Sequence, residues 1–103
     1  MANQAHLGIL KKGVTHWNSW RMEEGDILPD LRKADLHGLN LSNYDLSLCR
    51  MEGAVLSKAK LKRTDLRAAD LKDADLSDCL LEGAYLIETR LTRTDLRRAY
   101  LKQ

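Results

Sequence analysis

Apolar side chains recur along this chain at two spacings, and the change falls near Pro29. From Leu31 the step is five: Leu31, Leu36, Leu41, Leu46, Met51, Leu56, Leu61, Leu66, Leu71, Leu76, Leu81, Leu86, Leu91, Leu96 and Leu101. Fourteen of the fifteen positions are Leu, and the run contains no insertion or deletion. Before Pro29 the step is three or four, through Leu7, Leu10, Val14, Trp17 and Trp20. That spacing fits one face of a helix. Lys11, Lys12, Asn18 and Arg21 fall largely on its other side. Gly8 and Gly13 each weaken the helix by up to about 1 kcal/mol relative to Ala. A break near Gly13 is therefore expected, and Gly25 with Pro29 beyond it marks the stop.

A step of five matches neither regular period. A helix of 3.6 residues per turn would smear the Leu residues around its surface. A continuous strand would send alternate ones to opposite faces. The pattern works if the chain turns a corner every five residues, with Leu36, Leu41, Leu46, Met51, Leu56, Leu61, Leu66, Leu71, Leu76, Leu81, Leu86, Leu91 and Leu96 all pointing inward as the core. Two places before each centre is a second column, which from Cys49 onward holds only Ala, Cys or Thr. Between the two columns Asp or Asn is frequent, as in Asp35, Asn40, Asp45, Asp65, Asp70, Asp75 and Asp95.

Ala34-Asp35-Leu36, Ala69-Asp70-Leu71 and Ala74-Asp75-Leu76, with Thr64-Asp65-Leu66 and Thr94-Asp95-Leu96 as variants, resemble the A(D/N)Lxx unit of pentapeptide repeat proteins. The helix carrying Trp17-Asn18-Ser19-Trp20-Arg21, leading into Pro29-Asp30-Leu31, resembles the capping segment of bacterial, especially cyanobacterial, members. The resemblance implies an all-β solenoid: a right-handed quadrilateral parallel β-helix with four units per coil. Just under four coils then follow a short N-terminal α-helical cap. The expected division is 1–28 for the cap and 29–103 for the β-helix, within one structural domain.

Four units per coil stack residues 20 apart. One outer column then reads Asp30, Arg50, Asp70, Arg90, beside Arg32, Glu52, Lys72, Thr92. Their alternating sign suggests a ladder that guards stacking register, although exposed pairs are worth only about 0.2–1 kcal/mol each. Leu66→Lys should unfold such an array, while a change at Ser57 should be almost silent. Leu39 and Tyr44 are too large for the small column and lie in the first coil, where they can lean toward Trp17 and Trp20. Those two Trp could instead form an aromatic platform for a ligand, but a solenoid needs a cap. Leu80 and Tyr100 should share one outer column, and Tyr85 and Ile87 should lie on the next face. With Leu101 they form a candidate interface. The chain stops two residues after Leu101. An end-to-end homodimer, or docking onto another pentapeptide solenoid through the C-terminal end, is expected.

At 103 residues, a repeat array escapes the marginal stability of a small ordinary core. No apolar run reaches membrane-spanning length, and no secretory signal is visible. Seventeen basic and fifteen acidic residues are too balanced for a dedicated polyanion binder or for a strongly acidic decoy of nucleic acid. Lys58, Lys60, Lys62 and Arg63 form one basic cluster, and Arg90, Arg93, Arg97, Arg98 and Lys102 another, yet no aromatic ladder accompanies them. Two Cys suggest a reducing, cytoplasmic setting, with Cys49 and Cys79 inward and free. His6, His16 and His37 lack metal-ligand spacing. No catalytic set, metal site or cofactor is expected. The expected role is a non-enzymatic structural or protein–protein interaction module. The family also suggests an alternative, a DNA-mimicking topoisomerase-binding protein, but that role implies a long acidic rod.

Overall fold

The structure is a computed structural model and describes residues 1–102. Gln103, the last residue of the expected solenoid segment, lies outside the described residues. The chain opens with two helices, α1 (Gln4–Lys11) and α2 (Val14–Glu23). The break between them falls at Lys12 and Gly13, and Gly13 has φ +112°, a conformation that favours a residue with no Cβ. The side chain of Asn3 caps α1 by accepting from the His6 amide at 3.1 Å. α2 ends at Glu23, two residues before the glycine expected to stop it.

From Asp30 onward the chain winds as a solenoid. Its backbone pairing is a series of parallel single-residue bridges, each joining residues 20 apart, from Asp30 with Arg50 to Leu80 with Tyr100. The corners have one cause. In each unit the amide three places after the centre donates to the centre's carbonyl, as Ala54 N to Met51 O at 3.0 Å. The residue just before that amide has positive φ, between +54° and +70°, as in Lys33, Asn43, Lys58 and Gly83. An i to i+3 bond with a left-handed third residue is a type II turn. One such turn per five residues brings every centre back to the inside.

The core is a column of large side chains packed against a column of small ones. Leu31, Leu36, Leu41, Leu46, Met51, Leu56, Leu61, Leu66, Leu71, Leu76 and Leu81 are buried, as are Ala54, Ala59, Ala69 and Ala74. Burying each Leu contributes about 1.5–3 kcal/mol. Thr is tolerated among the small residues because its hydroxyl finds a partner. Thr64 Oγ1 donates to Leu41 O at 2.8 Å, and Thr89 and Thr94 make the same bond to Leu66 and Leu71. Cys79 Sγ donates in the same way to Leu56 O at 2.7 Å.

The core reading needs correction in the last coil. Leu86 and Leu96 are only half-buried, and Leu91 is 37% exposed. Their side chains point inward, but no described residues lie over them on the C-terminal side.

Candidate interaction surfaces

The first coil meets the helical cap through its backbone. In later coils each bridge residue bonds to the coil before it; here the cap supplies the partners on two faces. Asp30 O accepts from Asn3 N at 2.9 Å, and Asp30 N donates to His6 Nδ1 at 3.0 Å. Asp45 N donates to Asn18 Oδ1, and Asp45 O accepts from Trp17 Nε1 at 2.7 Å and Arg21 Nη1 at 2.8 Å. Arg21 also donates to Ser47 O, and Asn18 to Asn43 O.

Asn18 and Arg21 therefore do not form a solvated face of α2, as their polarity suggests. The Arg21 side chain is 8% exposed and reaches 3.5 Å from Cys49 Sγ. For Arg21 the spacing of four from Trp17 was a usable signal, because residues four apart share a helix face.

Trp17 is fully buried and Trp20 half-buried, with ring centroids 5.1 Å apart. Tyr44 is buried 6.4 Å from the Trp17 ring and donates to Leu10 O at 2.9 Å. Leu39 is half-buried against the same cluster. Trp17 is thus packed into the solenoid end, while Trp20 lies beside it against His6 and keeps part of its surface exposed.

The outer columns explain why Asp or Asn precedes the centre. The carboxylate or amide oxygen accepts from the backbone N–H two residues on: Asp30 from Arg32, Asp35 from His37, Asn40 from Ser42, Asp45 from Ser47, Asp75 from Ser77. Where that later residue is Arg, the guanidinium adds a forked contact, as in Arg32–Asp30, Arg67–Asp65 and Arg97–Asp95. These guanidinium bonds hold the Asp30 and Asp95 carboxyls down at about 2 and also lower Asp65.

The expected cross-coil ladder through Asp30, Arg50, Asp70 and Arg90 does not form as ion pairs. Its charges pair within a coil, Arg32 with Asp30 and Arg50 with Glu52 at 2.9 Å each. Ion pairs between coils sit at the corners instead, Arg93 on Asp73 at 2.7 Å and Arg98 on Asp78 at 2.9 Å.

The apolar candidates separate into two outer columns. Tyr100 is 45% exposed and stacks on Leu80, which is half-buried between Lys60 and Tyr100. Tyr85 follows Asp65 on the neighbouring face, with the Arg67 guanidinium 5.7 Å from its ring centroid. Ile87 is 68% exposed, and Leu101 is exposed at the C-terminal edge. The C-terminal basic cluster is largely neutralised through Arg93, Arg97 and Arg98. Lys58, Lys60 and Lys62 make no ion pair among the described residues.

Reactive groups are buried. Cys49 and Cys79 are free thiols inside the core, and burial pushes them up to about 12 and about 11. Among the described residues no group of His, Cys, Asp and Glu is placed to hold a metal ion. One cleft on the cap involves Lys12, His16, Trp20 and Glu23. A second, of about 440 Å³, lies between Leu10, Lys11, Leu39, Asn40, Leu41 and Tyr44. Among the described residues no helix is long and apolar enough to cross a membrane.

The family model for pentapeptide repeats matches residues 30–67 and 64–103, with eight copies. Among solved structures, the chain is similar to a pentapeptide repeat protein from Nostoc Pcc 7120. The identity is 32%, over 71% of this chain and 69% of that one, with a TM-score of 0.36. It is also similar to a pentapeptide repeat protein from the cyanobacterium Cyanothece 51142, at 28% identity. That match covers 70% of this chain and 59% of the other, with a TM-score of 0.24. A search of curated proteins finds no match.

Proposed function

This chain belongs to the pentapeptide repeat family, and from that membership we propose that it is a non-enzymatic module that works by binding other protein surfaces. The proposal includes a right-handed quadrilateral β-helix of just under four coils at 29–103, with residues 1–28 as its cap. It also includes a cytoplasmic setting, which the two buried thiols support.

The observation that carries the binding role is the apolar surface toward the C-terminal side. Tyr85, Ile87, Tyr100 and Leu101 are exposed there, beside the half-covered centres Leu86, Leu91 and Leu96. Exposed apolar side chains and half-covered centres both favour a protein partner. A second copy of this chain, or another pentapeptide solenoid, would cover both. The topoisomerase-binding alternative is not favoured, because Arg side chains sit among the carboxylates on the outer columns.

The test is the molar mass in solution by light scattering, for the wild type, Tyr100→Lys and Ile87→Lys. We expect a wild-type species heavier than 11.7 kDa that the variants shift toward the monomer. A monomer for all three across the concentration range removes self-association. A supercoiling assay with bacterial topoisomerase tests the alternative, and potent inhibition would reverse the preference.

A further inference from the structure

We propose that the N-terminal edge of the Leu39–Asn43 unit receives an extended peptide of alternating acidic and apolar side chains, added as a parallel β-strand. The proposal deepens the reading of this chain as a binding module. It does not depend on association through the opposite end.

The backbone supplies the first reason. On this face the bridge residue of each later coil is fully used. Lys60 N donates to Leu39 O at 2.9 Å, and Lys60 O accepts from Leu41 N at 2.7 Å. Two residues on, Lys62 O accepts from Asn43 N at 3.0 Å. In the first coil the matching groups are Asn40 N, Asn40 O and Ser42 O, and none has a partner among the described residues. The cap satisfies the Asp30 and Asp45 faces and leaves two open, this one and the Asp35 face, of which this one carries the cleft. One free donor and two free acceptors, in strand register, are what an added strand needs. Three residues at about 3.3 Å each span the stretch from Asn40 to Ser42.

The cleft supplies the second reason. Leu10, Lys11, Leu39, Asn40, Leu41 and Tyr44 surround about 440 Å³ directly over this edge. Leu10, Leu41 and Tyr44 are already buried by the cap, so the middle residue of the strand would rest mainly on the half-buried Leu39 at the cleft rim. It should be apolar.

Charge supplies the third. The two flanking residues of the peptide would stand over Asn40 and Ser42 and point outward. The next residues down those columns are Lys60 and Lys62, neither of which makes an ion pair among the described residues. Lys11 stands at the cleft wall. Outward acidic side chains complement this lysine set, which gives the pattern acidic–apolar–acidic.

The test is fluorescence anisotropy of the full chain with a labelled peptide carrying Asp-Leu-Glu between glycines. The comparison peptides carry Lys-Leu-Lys and Leu-Asp-Leu. We expect saturable binding of the first only, weakened about tenfold or more in the Lys60→Glu, Lys62→Glu double variant. Asn40→Pro, which removes the free donor at an edge that tolerates proline, should abolish binding while the circular dichroism stays unchanged. Amide exchange at Asn43 and Asn40 should identify the site even if that variant misfolds, with protection on peptide addition confined to Asn40. Tyr100→Lys should bind as the wild type does, which separates this result from self-association. No saturable binding, equal binding of the Lys-Leu-Lys peptide, or unchanged binding by folded Asn40→Pro would each overturn the proposal.

Discussion

Glycine-to-alanine changes should have opposite signs at two places in this chain. Gly8 lies inside α1, exposed, with no atom within 4 Å of where a Cβ would stand. Alanine there should stabilise by about 0.8–1 kcal/mol, the propensity difference in a helix interior. Gly83 occupies the third position of a type II turn, with φ +69°. A Cβ there meets the left-handed penalty of roughly 1–2 kcal/mol. It would also stand 3.2 Å from Cγ of Arg63, a flexible side chain that can give way. Reduced unfolded-chain entropy returns roughly 0.5–1 kcal/mol. The net is a loss of about 0.5–1 kcal/mol. The converse change, Lys58→Gly, removes a Cβ from an exposed residue at φ +61° and should gain a similar amount. Thermal melts resolve this, since 1 kcal/mol moves Tm by about 4–8 °C in a domain of this size. Denaturant titration with an unchanged m-value would tie the shift to stability alone. If Gly83→Ala stabilises as Gly8→Ala does, the left-handed corner is not what closes each unit.

Three further outcomes follow from the geometry. Leu66→Ala should lower stability by about 2–5 kcal/mol, the range for a fully buried Leu, whereas Leu91→Ala, at a site 37% exposed, should move the denaturation midpoint far less. Acid should act late. Asp30 and Asp95 are held at about 2, below the ordinary 3.8, so the unfolded chain takes up their protons first and stability falls only as pH drops from about 4 toward 2. A midpoint that does not fall between pH 4 and pH 2 would contradict that assignment. Cys49 and Cys79 should resist a thiol-reactive dye in buffer and react fully in denaturant, because burial keeps both protonated and inaccessible.

The inward column was legible because its spacing is free of interruption, and Leu36 to Leu81 are all buried. The same spacing could not distinguish Leu91, whose burial depends on what lies above it rather than on its own unit. The left-handed corners were not legible. Lys33, Asn43, Leu48, Ala68, Asp73 and Glu88 share them with Gly38, Gly53 and Gly83, so side-chain identity does not report the backbone there. The cap was misread at Asn18 and Arg21. Periodicity sorts apolar from polar, but a solenoid end exposes carbonyls and amides as well as Leu, and polar side chains must meet them. The charge columns had the right membership and the wrong pairing. Binding the amide two residues on ties each Asp to its own coil, so the side chain at that later position becomes its partner. Among the interaction candidates, Leu80 proved half-covered because Lys60 and Tyr100 flank it along the column.

The 20-residue separation of bridge partners sets how a gene for such a chain can change length. One extra codon would shift every downstream Leu off its inward position and ruin the fold from that point. Five extra codons would keep the interior intact but turn the downstream surface by one face, so that Arg93 would no longer stand over Asp73. Twenty would restore both. The interior counts in fives and the surface in twenties, so a lineage can redraw its contacts without touching its packing simply by gaining or losing one short unit.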